Sequence, residues 1–354
     1  MEKERLRHEL LHAYFQARRH KRGTINQLRF EIDLENNLRQ LECDLINRTY
    51  ELMPAVCFIN TEPVKREVIA ADFRDRVVHH LLFNWINPIF ERQLIYDCYS
   101  CRKGKGTLFG IERAYHYMQS ESDNFRRECY VMRLDISGFF MNIDRDVLYE
   151  AVMKGLEHGC WAGVPDKELC VYLLQKFIYN DPLKGAFFRS PAEMWSDLPR
   201  NKSLRYTKEN CGLPIGNLTS QLFGNVYLNR LDHFVKQNLR MHCYGRYVDD
   251  MYLIHRDSDA LKSAAFAIEL FLVNRYGLSL NNKKFYLQPL KNGFAFLGAF
   301  LKPGRIYPGR RIAKNAVRAF MHPRKDWWKN RERVVSYCGL LGHYNTFNLM
   351  NSVC

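Results

Sequence analysis

The run His242 to His255, HCYGRYVDDMYLIH, constrains the fold more than any other stretch: two β-rich halves meet at Asp249-Asp250, a hairpin signature. Two adjacent acids followed at once by the apolar Met251-Tyr252-Leu253-Ile254 are expensive to set against a core unless a cation neutralises them. An Asp-Asp pair in a turn is by itself ordinary turn chemistry, so the surroundings decide. They include a second strand-end acid, Asp135, which closes VMRLD. Carboxylates at the ends of neighbouring strands can converge on one point of a sheet edge. Three of them can hold two Mg²⁺ ions roughly 4 Å apart and clamp both oxygens of an in-line phosphoryl displacement. The pattern points to nucleotidyl transfer.

Composition narrows the partners. Of 354 residues, 53 are Lys or Arg against 38 Asp or Glu, a formal charge of +15, with 47% hydrophobic and 14% aromatic content. That much apolar material builds a core and excludes a disordered tail, and the basic surplus suits a polyanion, nucleic acid being the commonest. The plainer alternative is that the charge serves solubility. Eleven cysteines are scattered without a paired framework, which fits a reducing compartment, and Cys98-Tyr-Ser-Cys101 has metal spacing but lacks a second pair. No apolar run reaches about 18 residues, and the charged start MEKERLRHELL lacks a signal-peptide core, so a soluble, cytoplasmic protein without membrane contact is expected.

Along the chain, residues 1–50 read as helices separated by the basic run Arg18 to Arg22, which is either a solvated face or an RNA contact. A β-rich stretch to Asp72 precedes a helix from Arg74 to Phe90. A strand over Glu128–Ile136 is followed by a helix capped by Asp144. Gly185 to Thr207 reads as a polar excursion, Gly216 to Val235 as one long helix, and Ser258 as the cap of another. LSLNNKKFYL and FAFLGAFL read as a further strand pair turning at Asn292-Gly293. This order predicts an α+β fold, an antiparallel sheet backed by helices. Beyond Lys302 the chain is dense in Arg and Lys, with Tyr307, Phe320, Trp327 and Trp328 interleaved. This suits backbone-and-stack binding of nucleic acid, or else an amphipathic helix that buries its rings. After Asp135 comes Ile136-Ser137-Gly138-Phe139-Phe140; the Phe140 ring can stand beneath an incoming sugar and exclude a 2′-hydroxyl, whereas Phe139 reads as core.

These residues resemble the reverse transcriptases. Asp135 with Phe140 and Tyr247-Val248-Asp249-Asp250 match two palm motifs, and Gly212 to Gln221 (GLPIGNLTSQ) matches the loop and helix between them. Lys284 and Phe296-Leu297-Gly298 match the last two motifs, while Arg66, Asp75-Arg76 and Tyr99 to Gly104 resemble the fingers. The resemblance spans roughly residues 60–300 in order. It implies a right-hand polymerase with fingers, antiparallel-sheet palm and helical thumb: a helical N-terminal extension at 1–50, fingers at 51–130, palm at 131–300 with a fingers-type excursion about 157–215, and a basic helical thumb at 301–354. It further implies that Asp135, Asp249 and Asp250, with the Ile136 carbonyl, hold two Mg²⁺ ions. Lys65, Arg66, Arg102, Phe140, Ile215, Gly216, Gln221 and Lys284 would surround a dNTP, and Phe296, Leu297 and Gly298 would brace the primer. Template RNA and the RNA/cDNA duplex would be the partners. A chain ending at Cys354 is expected to carry no RNase H, maturase or endonuclease domain.

Where intron and retroviral enzymes usually carry Gln before the loop glycine, this chain has Ile215, and Gln221 replaces the usual Pro of intron enzymes. IGNLTSQ, with Leu198-Pro199 and Lys202-Ser203 upstream, looks like the reverse transcriptases of diversity-generating retroelements. Those enzymes copy a template-repeat RNA, misincorporate opposite adenine and work with a small basic accessory protein. Replacing a bracing amide by an alkyl group loosens the check on pair geometry, so lower fidelity is expected. A retron or phage-defence enzyme is the nearest rival, and a non-catalytic RNA-binding protein the remoter one.

Overall fold

The computed structural model describes residues 3–19, 23–62, 64–321 and 327–351, with the backbone alone for Lys3 and for 327–330. His20, Lys21 and Arg22 of the basic run, and the side chains of Trp327 and Trp328, lie outside the described residues. The chain opens with helices α1 (Lys3–Arg18), α2 (Ile25–Ile32) and α3 (Leu34–Ile46), followed by strands β1 (Val56–Asn60) and β2 (Arg66–Ala70). Helices α4 (Phe73–Gln93) and α5 (Thr107–Glu121) lead to β3 (Tyr130–Asp135), α6 (Arg145–His158), α7 (Lys167–Ile178), β4 (Phe187–Phe188) and the short α8 (Glu193–Ser196). Then come α9 (Leu218–Tyr227), α10 (Asn229–His233), β5 (Tyr244–Tyr247), β6 (Asp250–His255) and α11 (Ser258–Tyr276). The last part holds β7 (Tyr286–Pro289), β8 (Phe294–Phe296), β9 (Ala299–Lys302), β10 (Arg305–Pro308), α12 (Arg310–Phe320), α13 (Trp327–Leu341) and α14 (Phe347–Asn351). The α+β class expected from the sequence is the class observed.

These elements form two compact units. The first comprises residues 1–96, 136–233 and 270–279. Its centre is α4, whose Val77, Val78, Leu81, Leu82 and Ile86 are fully buried and which packs against α1, α6 and α9. Asp72 caps α4 by accepting from Arg74 N, and Asp144 caps α6 by accepting from Asp146 N and Val147 N, as its position before an apolar-periodic run predicts. Beside the helices lies a small sheet of order β2-β1-β4, antiparallel between β1 and β2 and parallel across the two-residue β4.

The second unit comprises residues 97–135, 234–269 and 280–354. Its main sheet has the order β5-β6-β3-β7 and is antiparallel throughout. A further three-stranded sheet, β8-β9-β10, joins it through one apolar cluster that includes Tyr99, Ile111, Val131, Tyr252, Phe294 and Phe296. Inside this unit Asp97 is buried yet held below the usual carboxylate range. Burial works to raise it, but Lys236, Tyr117 and Arg113 together outweigh burial.

Four local expectations change. Gly216 has φ +133 and cannot begin a helix, so α9 starts after Asn217; at Leu228 the N–H is shared between Gly224 O and Val226 O, and the run breaks into α9, α10 and a π-turn at Phe234–Asn238. Asp257, not Ser258, caps α11, accepting from Asp259 N. The anticipated pairing of LSLNNKKFYL with FAFLGAFL does not occur: β7 pairs with β3, while β8 pairs with β9, because the turn at Leu290–Asn292 and Gly293 (φ +72) redirects the chain. The segment after Lys302 begins as a hairpin, since Pro303-Gly304 forms a two-residue turn with Gly304 at φ +79, and becomes helical only at Arg310.

Asp75 gives this packing a pH signature. It accepts from Tyr50 Oη at 2.6 Å and Met53 N at 2.9 Å, but burial outweighs both bonds and pushes its carboxyl from 3.8 up to about 7. The folded chain then holds this proton more tightly than the unfolded chain. The contribution to stability is full below the ordinary carboxylate value and is lost as pH rises through about 7. Denaturant midpoints should therefore fall more steeply between about pH 4 and about pH 7 in the wild type than in Asp75→Asn. Parallel profiles would contradict this.

Candidate active site

The sequence-predicted residues fall into two sets, one in each unit. In the second unit, the β3–β6 ladder pairs Leu134 with Met251 and Asp135 with Asp250, so the two acids face each other at the end of the sheet. Tyr247 and Asp250 close the β5–β6 hairpin, leaving Val248-Asp249 as a two-residue turn. Val248 has φ +58, a region where a β-branched residue is strained and glycine is at ease. The fully buried Arg246 holds this turn: its Nη1 donates to Val248 O at 2.8 Å, while its backbone is fixed by Asp97 O and Tyr99 N.

Basic and amide groups surround the acids. Lys284 Nζ lies 2.7 Å from Asp135 Oδ1. Asn281 donates to Asp135 twice, from Nδ2 to Oδ2 at 3.2 Å and from its backbone N to Asp135 O at 2.7 Å. Arg133, two residues before Asp135 and on the same face of β3, reaches diagonally to Asp250 and donates from Nη2 to both carboxylate oxygens at 2.7 Å. Burial, then the charge of Asp135, pushes the Asp249 carboxyl up to about 6. Burial also raises Asp250, with Arg133 opposing it. Three hard carboxylates crowded at one strand end are the donor chemistry of a Mg²⁺-type cation, which would relieve their repulsion. Among the described residues, no three His, Cys, Asp or Glu side chains form a ready-made cage. A cation placed there would have to compete with Lys284 and Arg133 for the same oxygens.

In the first unit, Phe140 and Ile215 pack against one apolar cluster of Ala55, Cys57, Ile69, Met141 and Leu204. Backbone bonds tie them together: Leu213 N donates to Phe140 O at 2.8 Å and Ile69 N to Ile215 O at 3.0 Å. A Cβ on Gly216 would stand 3.0 Å from Ile69 O, so this loop lies directly against β2, the strand that Arg66 opens. Lys65 is 3.6 Å from Asp197, and Gln221 is exposed on α9. Ile136 is buried.

The remaining predicted residues belong to the second unit. Arg102 donates to Cys98 O at 3.0 Å. Phe296 is 1% exposed and meets Tyr252 edge-on at 4.9 Å, so its ring is core, and the turn Leu297-Gly298 that follows has both φ angles positive.

A family model described as reverse transcriptase (RNA-dependent DNA polymerase) matches residues 65–301, well over half of the chain. The chain belongs to the reverse transcriptase family. No curated protein matches it. Among solved structures it is similar to apo telomerase from Candida tropicalis, with a TM-score of 0.52 and 10% identity over 84% of this chain and 56% of that one. It is also similar to telomerase from Candida albicans in complex with a TWJ fragment of telomeric RNA, with a TM-score of 0.48, 12% identity, and 87% and 57% coverage. At 10% identity the likeness to the apo enzyme is one of fold. The reverse transcriptase chain spans little more than half the length of those telomerase chains. No helix among the described residues is long and apolar enough to cross a membrane.

Sequence reasoning missed Arg133, Arg246 and Asn281 in this reverse transcriptase. The two arginines had a signal: each interrupts a β-rich run, VMRLD and YGRYV, where a charge must find a partner, and the nearest partners are the acids and carbonyls of the turn. Gly245, between Tyr244 and Arg246, sets the spacing. A Cβ there would land on the Tyr99 hydroxyl and 2.7 Å from the Tyr252 ring, whose hydroxyls hydrogen-bond each other at 2.7 Å. Gly245→Ala should destabilise the protein by about 1–3 kcal/mol in chemical denaturation, because overpacked cores cannot relax freely. A change below about 0.5 kcal/mol would mean that the packing is not as described.

Proposed function

We propose that this chain is an RNA-directed DNA polymerase that makes cDNA from an RNA template by two-metal nucleotidyl transfer. We further propose that it copies template adenines with error, in the manner of a diversity-generating retroelement enzyme. The observation that carries the first part is the register that sets Asp135 opposite Asp250 with Asp249 in the adjoining turn, in a chain of the reverse transcriptase family.

In this reading Asp135, Asp249 and Asp250, with the Ile136 carbonyl, hold the divalent cations. Cations held there would supply Lewis-acid activation of a primer 3′-hydroxyl and charge neutralisation for the departing pyrophosphate. Lys284, already at Asp135, supplies a cationic donor toward the pyrophosphate. Arg66, Lys65 and Arg102 meet the triphosphate, where guanidinium forks suit phosphate oxygens. Phe140 excludes the 2′-hydroxyl and so selects dNTPs. The fingers are assigned to residues 51–130 and the excursion about 157–215, the palm to the rest of 131–300, and the thumb to 301–354. Template RNA and the RNA/cDNA duplex are the ligands, and a small basic accessory protein is the expected partner.

The support for the error-prone subclass is the position of Ile215. It packs its alkyl group with Phe140 on an apolar cluster, where an amide would offer a hydrogen bond to a nascent pair. Primer extension on an RNA template with Mg²⁺ and dNTPs, followed by cDNA sequencing, tests both parts. The wild type should extend with errors concentrated at template adenines, and Asp249→Asn/Asp250→Asn should lose extension by about a thousandfold or more. Ile215→Gln should extend with fewer adenine errors. Faithful wild-type copying would move the chain to the retron or defence class, and extension surviving the double substitution would refute the catalytic assignment.

A further inference from the structure

The excursion between α7 and α9 displays rings and arginines that the catalytic reading does not use. Phe187, Phe188 and Tyr206 are 65%, 46% and 59% exposed, although large rings are costly to leave in water. They are organised rather than scattered. Phe188 and Trp195 meet edge to face at 5.7 Å, and the Arg205 guanidinium lies over both, 4.5 Å from the first ring centre and 5.0 Å from the second. Arg200 stands 5.3 Å over the neighbouring ring of Tyr206.

The platform is anchored from below by a buried acid. Glu67 on β2, 1% exposed, accepts from Trp195 Nε1 at 3.0 Å, Ser203 Oγ at 3.0 Å and Leu204 N at 2.7 Å. Phe187 N donates to Ala55 O and Arg189 N to Cys57 O, so the Phe187-Phe188 strand is pinned to β1. Rings held in this way are presented without the entropic cost of ordering a loop on binding.

Charge indicates what covers them. Residues 184–208 carry Lys or Arg at six positions and Asp or Glu at two, and one of those acids, Asp197, is 3.6 Å from Lys65. A basic protein is repelled by such a face. Rings and guanidinium planes in a positive field suit unstacked bases joined by phosphates, whereas a duplex keeps its base faces stacked inside. We propose that Phe188, Trp195, Arg205, Arg200 and Tyr206 form a stacking platform for a single-stranded stretch of RNA. The inference rests on the RNA-templated reading of the chain.

The test is fluorescence anisotropy of the full chain with a short, unstructured, end-labelled RNA, and with the same RNA annealed to its complement. No nucleotides are added, so the outcome is independent of polymerisation. Phe188→Ala/Tyr206→Ala should weaken single-strand binding by about tenfold to a hundredfold while duplex binding stays within about twofold. Phe188→Trp should retain the affinity. Arg200→Gln/Arg205→Gln, at exposed positions where folding is not at stake, should weaken single-strand binding and flatten its salt dependence by about one unit of slope. Unchanged single-strand affinity in both double variants would overturn the proposal and leave the surface to a protein partner. An equal loss for duplex and single strand would also overturn it. Loss of primer extension in Asp249→Asn/Asp250→Asn with these binding differences intact would separate the platform from the catalytic assignment.

Discussion

Everything in the second unit depends on one register: Leu134 opposite Met251 and Asp135 opposite Asp250. Like charges directly across a ladder destabilise a sheet, and a slip of one residue would turn the apolar face of β6 to the wrong side. The surrounding groups are arranged around that repulsion. Lys284 and Asn281 hold Asp135, Arg133 holds both oxygens of Asp250, and Arg246 fixes the strained Val248 carbonyl from within the core. Strain and like charge are thus gathered at one strand end and supported from beneath by a buried arginine.

The first unit solves a different problem, holding a loop and a strand edge in contact. Gly212 and Gly216, both at positive φ, let residues 212–216 lie against Phe140 and β2. Ile215 and Phe140 then share a cluster with Leu204 and Trp195, and Glu67 draws the excursion onto the same strand. Two residues read separately from the sequence, Phe140 and Ile215, belong to one packing unit. A change at Ile215 would therefore be felt at Phe140.

Much of this was legible because short-range chemistry decides it. The YVDD hairpin, the Asp144 cap and the strand ending at Asp135 all follow from alternation, turn residues and capping. The family was legible from motif order. What failed depended on pairing over distance or on a single backbone angle. Nothing in FAFLGAFL says that it folds back on itself as the β8–β9 hairpin and leaves the strand before it to pair elsewhere, and the break at Leu228 leaves no mark in composition. Arg133 was overlooked because its partner Asp250 lies across a ladder, and Arg246 because its full burial beneath the turn is set by packing. The buried Glu67 gave no hint of its role, since its donors are more than a hundred residues away.

The most direct test of the central claim, that Asp135 and the turn acids form one cation-binding centre, is to count bound Mn²⁺ by electron paramagnetic resonance of the free ion. The full chain would be titrated on an RNA template–primer with a non-hydrolysable nucleotide. The account predicts about two ions per wild-type chain at this centre and a loss of at least one in Asp135→Asn and in Asp249→Asn. Equal Mn²⁺ binding in wild type and both variants would contradict it.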